Sequence, residues 1–337
     1  KHVVVDAAGV ARDNLVSFEE YLSEAPISTT MRLNKWLGYR YNTGKRPVYE
    51  SDIPKLKKYI EKYEAFKADK NVIDYTSILE NAASNPDWLP NYKIVFVDEA
   101  QDLSKLQWSV VNNLITKSQA AFIAGDDDQA ICEVFGASPK SFVNYLADKE
   151  QVLSESFRVP KQVHASILGS SLIEKMNTKF QRKEKAWEPN QSVDGAVLQI
   201  SRADMAKLVE SHKYKDWLIM GATDKTLRSV SEYLFKQQVP HTLKNRVIVE
   251  RHDNFLPSVH LTTIWGAKGG EADVCVLLRD YFSDEQAYAE DPRLIYVAQT
   301  RTKQIFFEVF ERSPRQGASD ALHQIDEAIL GLPDINR

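Results

Sequence analysis

The sequence predicts an α/β protein made of two parallel-sheet domains with a basic helical segment near the amino end. Three observations lead there. The apolar run Ile94-Val-Phe-Val97 delivers Asp98 and Glu99 to its carboxyl end, and a second run, 120–124, is followed by Gly125-Asp-Asp-Asp-Gln129. Between the two, Leu103, Leu106, Val110, Leu114 and Ile115 have helical spacing, giving the strand, helix, strand order of a parallel sheet. A second series of β-like runs begins at residue 196, and 337 residues exceed what one hydrophobic core usually holds.

Taken in order, 51–70 has the pattern of an amphipathic helix. Leu56, Tyr59, Ile60, Tyr63 and Phe66 mark its core face, and Lys55, Lys58 and Lys62 its solvated face. A short helix over 74–82 leads into a loop at 85–90. The 94–97 run is short, apolar and rich in β-branched residues, as a fully buried parallel strand should be. Pro160 is suited to start a helix carrying Val163, Ile167, Leu168 and Leu172. The polar stretch 178–195, with Pro189 and Gly195, is expected to be a connector. Strands are expected at 196–200, 217–220, 259–264, 274–278 and 305–310, with a helix over 227–237 among them.

Composition sets bounds on function. Hydrophobic residues make up 43% and charged residues 27%, ordinary values for a globular protein. No apolar run approaches the roughly 18 residues of a membrane span, and no signal-peptide pattern opens the chain, so a cytoplasmic location with no membrane partner is expected. Cys132 and Cys275 are the only cysteines. They form neither a disulfide framework nor a zinc pattern, and Cys275 sits in an apolar run as a reduced core thiol. Net charge is −4, yet residues 31–70 hold eleven Lys or Arg against five Asp or Glu, interleaved with Trp36, Tyr39, Tyr41, Tyr49, Tyr59, Tyr63 and Phe66. Cations that track phosphates and rings that stack on bases suit single-stranded nucleic acid. Helical spacing gives several of these rings a second reading, as core.

Ligands of open α/β sheets gather at the carboxyl ends of strands. Asp98 and Glu99 therefore stand where a nucleotide belongs, the first placed to hold Mg²⁺ and the second to activate water. Gln129, after the neighbouring strand, is placed to sense a γ-phosphate.

This pair of motifs resembles the Walker B and third motifs of the UvrD/Rep-like DNA helicases of superfamily 1. Ser156-Phe-Arg158 resembles the fourth motif, Thr263-Ile-Trp-Gly-Ala-Lys-Gly-Gly-Glu271 the fifth, and Arg293-Leu-Ile-Tyr-Val-Ala-Gln-Thr-Arg301 the sixth. The five matches stand in the family's order across residues 72–310. The resemblance implies two RecA-like, P-loop-type domains with a helical DNA-contacting insertion. On this basis the chain divides into 1–71 (helical insertion), 72–156 (remainder of the first RecA-like domain), 157–312 (second RecA-like domain) and 313–337 (tail). It also implies an ATP-dependent, Mg²⁺-requiring helicase moving 3′ to 5′ on single-stranded DNA and at single-strand/duplex junctions. Such a protein would act as a monomer, with replication or repair proteins as partners.

By resemblance, Glu99, Gln129, Arg158 and Arg301 are catalytic, Arg301 as the arginine finger. Asp98 is the Mg²⁺ ligand, Phe157 stacks on adenine, Glu271 meets the ribose or phosphate region, Gly269 lines the nucleotide, and Arg293 supports the sixth motif. Phe135, Thr263, Trp265, Trp36 and Lys45 are the DNA contacts, with Phe135 one position beyond the family's usual tryptophan and Trp265 where histidine is commoner.

Two departures qualify the resemblance. Only residues 246–258 stand where the family carries a large second-domain insertion. The chain also contains no GxxxxGK[ST], the loop whose amides and lysine grip phosphates. Its nearest lookalike, residues 38–46, has five intervening residues, lacks the Ser/Thr and follows no apolar strand. The sequence is therefore expected to be a fragment, inactive alone, of a longer ATPase. Two other readings stay open: a nucleic-acid- or partner-binding module without ATPase activity, and a metal-dependent nuclease using Asp98, Glu99 and Asp126 to Asp128.

Overall fold

The computed structural model describes residues 2–39, 48–183, 185–251, 255–279, 282–310 and 326–334. The chain forms two compact units, Lys1–Leu146 and Ala147–Arg337.

The first unit opens with helices α1 (Val3–Asp13), α2 (Phe18–Glu24), α3 (Ile27–Trp36), α4 (Ile53–Lys70) and α5 (Tyr75–Ser84). Val4, Ala7 and Ala11 of α1 meet Leu22, Leu33 and Leu56 in one apolar cluster. On α4, Leu56 is fully buried as its spacing predicts, whereas Phe66 is 55% exposed. Lys67 is buried in its place, because its ammonium has partners there: Nζ donates to Asp74 at 2.9 Å and to Ser77 Oγ at 3.1 Å. From α1, Arg12 donates to Glu80 at 2.8 Å and to Ser77 Oγ at 2.8 Å. Partial burial works against ionisation of Asp74, but bonds from Lys67 and Ser77 and the charge of Arg12 hold its carboxyl well below the usual range. A buried cation persists only when paired in this way.

Beyond this bundle, β1 (Ile94–Val97) pairs in parallel with β2 (Ala120–Ile123), and α6 (Lys105–Ile115) connects them. Ser104 and Gln107 form a capping box that starts α6. Val95 and Val97 pack with Trp108, Val111 and Leu114 of α6 and with Phe142 of α7 (Pro139–Val143). The expectation of a fully buried strand is corrected here. Burial of β1 alternates, and Phe96 (75% exposed) stacks on Phe122 with ring centroids 5.0 Å apart on a bare face. Among the described residues helices cover only one side of this two-stranded sheet, so its period-2 alternation decides which side chains are buried.

The second unit begins with β3 (Glu155–Pro160), α8 (Lys161–Gly169), α9 (Leu172–Lys179) and β4 (Glu188–Asn190), which pairs in parallel with β3. The expected connector 178–195 thus contributes a strand. There follow β5 (Ala196–Ser201), α10 (Arg202–Ser211), β6 (Trp217–Gly221), α11 (Asp224–Lys236), β7 (His241–Leu243), β8 (Arg246–Val249) and β9 (Val259–Thr263). The unit closes with β10 (Ala272–Leu278), α12 (Phe282–Glu290), α13 (Arg293–Gln299) and β11 (Thr302–Phe310). Seven strands form one sheet in the order β5-β11-β10-β6-β9-β7-β8, parallel except for the β7–β8 hairpin. Burial is continuous along β6 and nearly so along β10, as central parallel strands require. Cys275 of β10 is fully buried, which pushes its thiol up to about 12.

Candidate active site

In the first unit the acidic motifs meet at the carboxyl ends of β1 and β2. The strand ends are tied together: Ala124 N–H donates to Val97 O at 2.8 Å, and Ala100 N–H donates to Ala124 O at 2.9 Å. Immediately after β1, Asp98 Oδ1 accepts from Glu99 N–H at 2.9 Å. Glu99 itself adopts φ 51° and ψ 39°, the left-handed region that costs a non-glycine residue about 1–3 kcal/mol and recurs at functional sites.

One residue that motif chemistry did not single out organises this corner. Gln101, fully buried, donates from Nε2 to Glu99 Oε2 at 2.5 Å and accepts at Oε1 from Asp126 N–H at 3.0 Å. It fixes Glu99 and joins the loop after β1 to the loop after β2. Gly125 leaves room for it, since a Cβ there would lie 2.6 Å from Gln101 Oε1 and 3.1 Å from the Phe142 ring. The signal was present in the spacing DEAQD, but which face of the Ala100–Asp102 3-10 turn looks inward is a tertiary matter. Gln129 donates to Asp126 Oδ2 at 2.7 Å, while Asp127 and Asp128 are buried. Phe135 is 62% exposed in the next turn.

A single carboxylate, Asp98, at a strand end suits Mg²⁺ held through water and substrate phosphates rather than by a protein cage. Among the described residues no group of three or more His, Cys, Asp or Glu side chains is placed to hold a metal ion. Gly38, first residue of the phosphate-loop lookalike, has φ 92° and follows the Leu37 cap of α3. Its N–H donates to Lys35 O, so it ends a helix. Lys45 and the rest of that lookalike beyond Tyr39 lie outside the described residues. Trp36 is half-buried, edge-on to Tyr59 and beneath Lys55 Nζ at 5.6 Å.

In the second unit four motif residues converge. Arg158 on β3 donates from Nε to Glu271 Oε2 at 2.6 Å and from Nη1 to Thr300 O at 3.4 Å. Arg301 is 3% exposed, and its guanidinium donates to Val297 O, Gly270 O and Thr300 Oγ1 at 3.2, 3.4 and 3.3 Å. Gly269, with φ 79°, completes the turn before Glu271. Phe157, beside Arg158, is 82% exposed, and its carbonyl accepts from Asn190 Nδ2 at 2.8 Å.

Arg293 stands apart from this cluster. It is buried, makes a two-pronged pair with Asp291 at 2.9 and 2.8 Å, and lies 3.5 Å over the Phe180 ring. Thr263 and Trp265 stand apart too. Val259 and Val274 both align with Trp217, so Thr263 ends β9 at the carboxyl edge of the sheet while Glu271 precedes β10 at the amino edge. Thr263 Oγ1 accepts from Gly266 N–H at 3.2 Å, fixing the turn that carries Trp265.

Comparison with known proteins agrees with the motifs. Residues 14–150 match the family model described as the UvrD/REP helicase N-terminal domain. The chain is 22% identical over 211 residues to the ATP-dependent DNA helicase Rep of Buchnera aphidicola, covering 56% of this chain and 31% of that protein. It is 24% identical over 201 residues to the ATP-dependent DNA helicase PcrA of Staphylococcus epidermidis, covering 55% and 27%. With DNA helicase II of Haemophilus influenzae it shares 26% identity over 166 residues, covering 45% and 22%. The chain thus spans about a third or less of the length of these relatives. A solved structure, the C-terminal domain of a possible DNA helicase from Lactobacillus plantarum WCFS1, covers 52% of this chain and 96% of its own at 16% identity, with a TM-score of 0.29. The match over residues 14–150 and the named relatives show a likeness to UvrD/Rep-type DNA helicases, in line with the ordered motifs of both units.

Proposed function

We propose that this chain supplies the water-activating and phosphate-sensing residues of an ATP-dependent DNA translocase that moves 3′ to 5′ on single-stranded DNA. The phosphate-gripping loop, which this chain does not contain, belongs to a longer protein. The observation that carries the reading is the Glu99–Gln101–Asp126 bridge, which fixes a carboxylate at the carboxyl end of a parallel strand beside a second acidic loop. Bound Mg²⁺·ATP supplies the transferable phosphoryl group and the metal charge that neutralises it.

The chain's residues do the rest. Asp98 holds the metal's water shell. Glu99 orients the attacking water and takes its proton, while Gln129 reads the position of the γ-phosphate from the same sheet end. In the second unit Arg158 and Arg301 neutralise charge on the transferred group, Arg301 as the arginine finger, an element worth about 10³–10⁵ in rate. Phe157 offers its exposed ring to adenine, Glu271 serves the ribose and phosphate region, and Gly269 lets the turn backbone approach. Arg293 supports the sixth motif through Asp291.

DNA is met by Phe135 and by Thr263 and Trp265. In the second unit these last two stand at the sheet edge opposite Glu271, so DNA and nucleotide load the two ends of one rigid sheet. The basic, aromatic segment 31–70, with Trp36 and Lys45, adds contacts to the single strand near a junction with duplex. A monomer working in the cytoplasm with replication or repair proteins completes the proposal.

The test is single-strand-stimulated ATPase activity of the protein encoded by the complete reading frame. Glu99→Gln is expected to retain ATP binding and lose at least about 10²-fold in turnover. A complete protein that hydrolyses no ATP on single-stranded DNA sinks the reading.

A further inference from the structure

We propose that Glu271 is the resting counter-ion of Arg158 and that a polyphosphate reaches this arginine only by displacing the carboxylate. The inference rests on the nucleotide reading of Arg158 and adds a regulatory step to it.

The two residues are 113 positions apart, and the fold brings them to 2.6 Å. Each is presented by a fixed frame. Arg158 lies on β3, where Ser156 Oγ accepts from its backbone N–H at 3.3 Å and from that of Val159 at 3.1 Å. Glu271 lies between two residues anchored to Arg301: Gly270 O accepts from its guanidinium, and Ala272 N–H donates to its carbonyl at 3.1 Å. Arg301 donates to acceptors of its own unit. Arg158 differs, since its side chain is 34% exposed and that of Glu271 is 46% exposed. Of the two arginines, Arg158 is the more open to an anion from solvent.

An ion pair this exposed contributes little stability and exchanges readily. A polyphosphate carries more charge than a carboxylate and matches the guanidinium fork, so it wins the competition. A weaker anion does not, which makes Glu271 a threshold against small phosphates. Once displaced, the carboxylate is free to accept from a sugar hydroxyl, so its contact with a nucleotide follows capture of the phosphates. Glu271 is then a positioning residue first and a ligand contact second.

The test uses the full chain with ¹⁵N-labelled arginine and follows the Arg158 Nε resonance, assigned by its loss in Arg158→Lys. Sodium tripolyphosphate, which has no base or sugar, is titrated at constant ionic strength. In the unmodified chain the resonance is expected to leave its ion-paired position as tripolyphosphate is added. In Glu271→Gln, and likewise in Glu271→Ala, half-saturation is expected at about fivefold lower concentration. Equal or weaker binding in both variants, or no response of Arg158 in any form, overturns the proposal. Loss of ATPase activity in the complete protein would sink the functional reading and leave the tripolyphosphate result standing.

Discussion

Glu99 shows how a single side chain is held by its surroundings here. Its left-handed backbone is flanked by main-chain bonds, Ala100 N–H to Ala124 O and Asp102 N–H to Glu99 O, while its carboxylate accepts from the buried amide of Gln101. Gly125 is the weak point of that arrangement. Gly125→Ala forces either Gln101 or the Phe142 ring to move, and a loss of about 1–3 kcal/mol in urea unfolding is expected; an unchanged midpoint would show that the corner is softer than its distances indicate. His241 makes a second prediction at this scale. It is fully buried, with Nδ1–H donating to Val239 O at 2.8 Å and Nε2 accepting from Ser231 O–H at 2.8 Å. Burial lowers its pKa and the Val239 bond opposes that only in part. The folded form therefore resists protonation more than the unfolded form does. Stability from this group is complete above the ordinary imidazole value of about 6.5 and falls as pH drops through that value toward the lower folded one. Denaturant midpoints compared at about pH 7.5 and about pH 5.5 should fall more steeply in the unmodified chain than in His241→Asn.

At the scale of elements, β1 separates two kinds of apolar residue that look alike in sequence. Val97 faces α6, and Val97→Asp would bury an unpaired carboxylate at a cost of several kcal/mol. Phe96 points the other way, and Phe96→Ser should cost under about 1 kcal/mol and raise solubility. Circular dichroism melts of the two variants check the contrast, and similar losses in both would contradict the bare face. The helices α4, α5, α6, α8 and α11, most of the strands and the parallel pairing of β1 with β2 were legible because helical spacing and short β-branched runs express local periodicity, whereas α1 to α3, α9, α10, α12 and α13 were not anticipated. Which face of β1 is covered was not legible, since four apolar residues in a row satisfy either arrangement. Lys67 was missed for a related reason. A pattern of charge cannot show that Asp74 and Ser77 of the next helix will be waiting for it.

For the molecule as a whole, the seven-stranded sheet and its apolar core lie entirely within residues 147–337. Expressed alone, that unit is expected to fold with one cooperative denaturant transition, as a domain with its own core should. Arg293 belongs to this unit's integrity. Breaking its buried pair by Arg293→Ala should cost about 3–5 kcal/mol, read from the midpoint of the isolated unit. A smaller loss would mean that the Asp291 carboxylate finds water and that the pair is less sequestered than its burial indicates. Of the candidate site, Asp98, Glu99, Gln129, Arg158, Glu271 and Arg301 were named from spacing and resemblance, and the fold brings the last three together with Thr300. Register along β6, β9 and β10 adds that Thr263 and Glu271 occupy opposite ends of the same sheet.

By itself the sequence determined the class of fold, the alternation of strand and helix around the acidic motifs, the likeness to UvrD/Rep-type helicases and the residue types able to handle a phosphate, because these follow from periodicity and short motifs. Only the tertiary structure decided that Gln101 holds Glu99, that Glu271 occupies Arg158, that Arg301 is bonded to its own carbonyls and that Arg293 is bound to Asp291. The physical reason is one of reach. Periodicity acts over one or two turns of chain, whereas the partner of a charged side chain is set by whichever distant segment packing brings within about 3 Å.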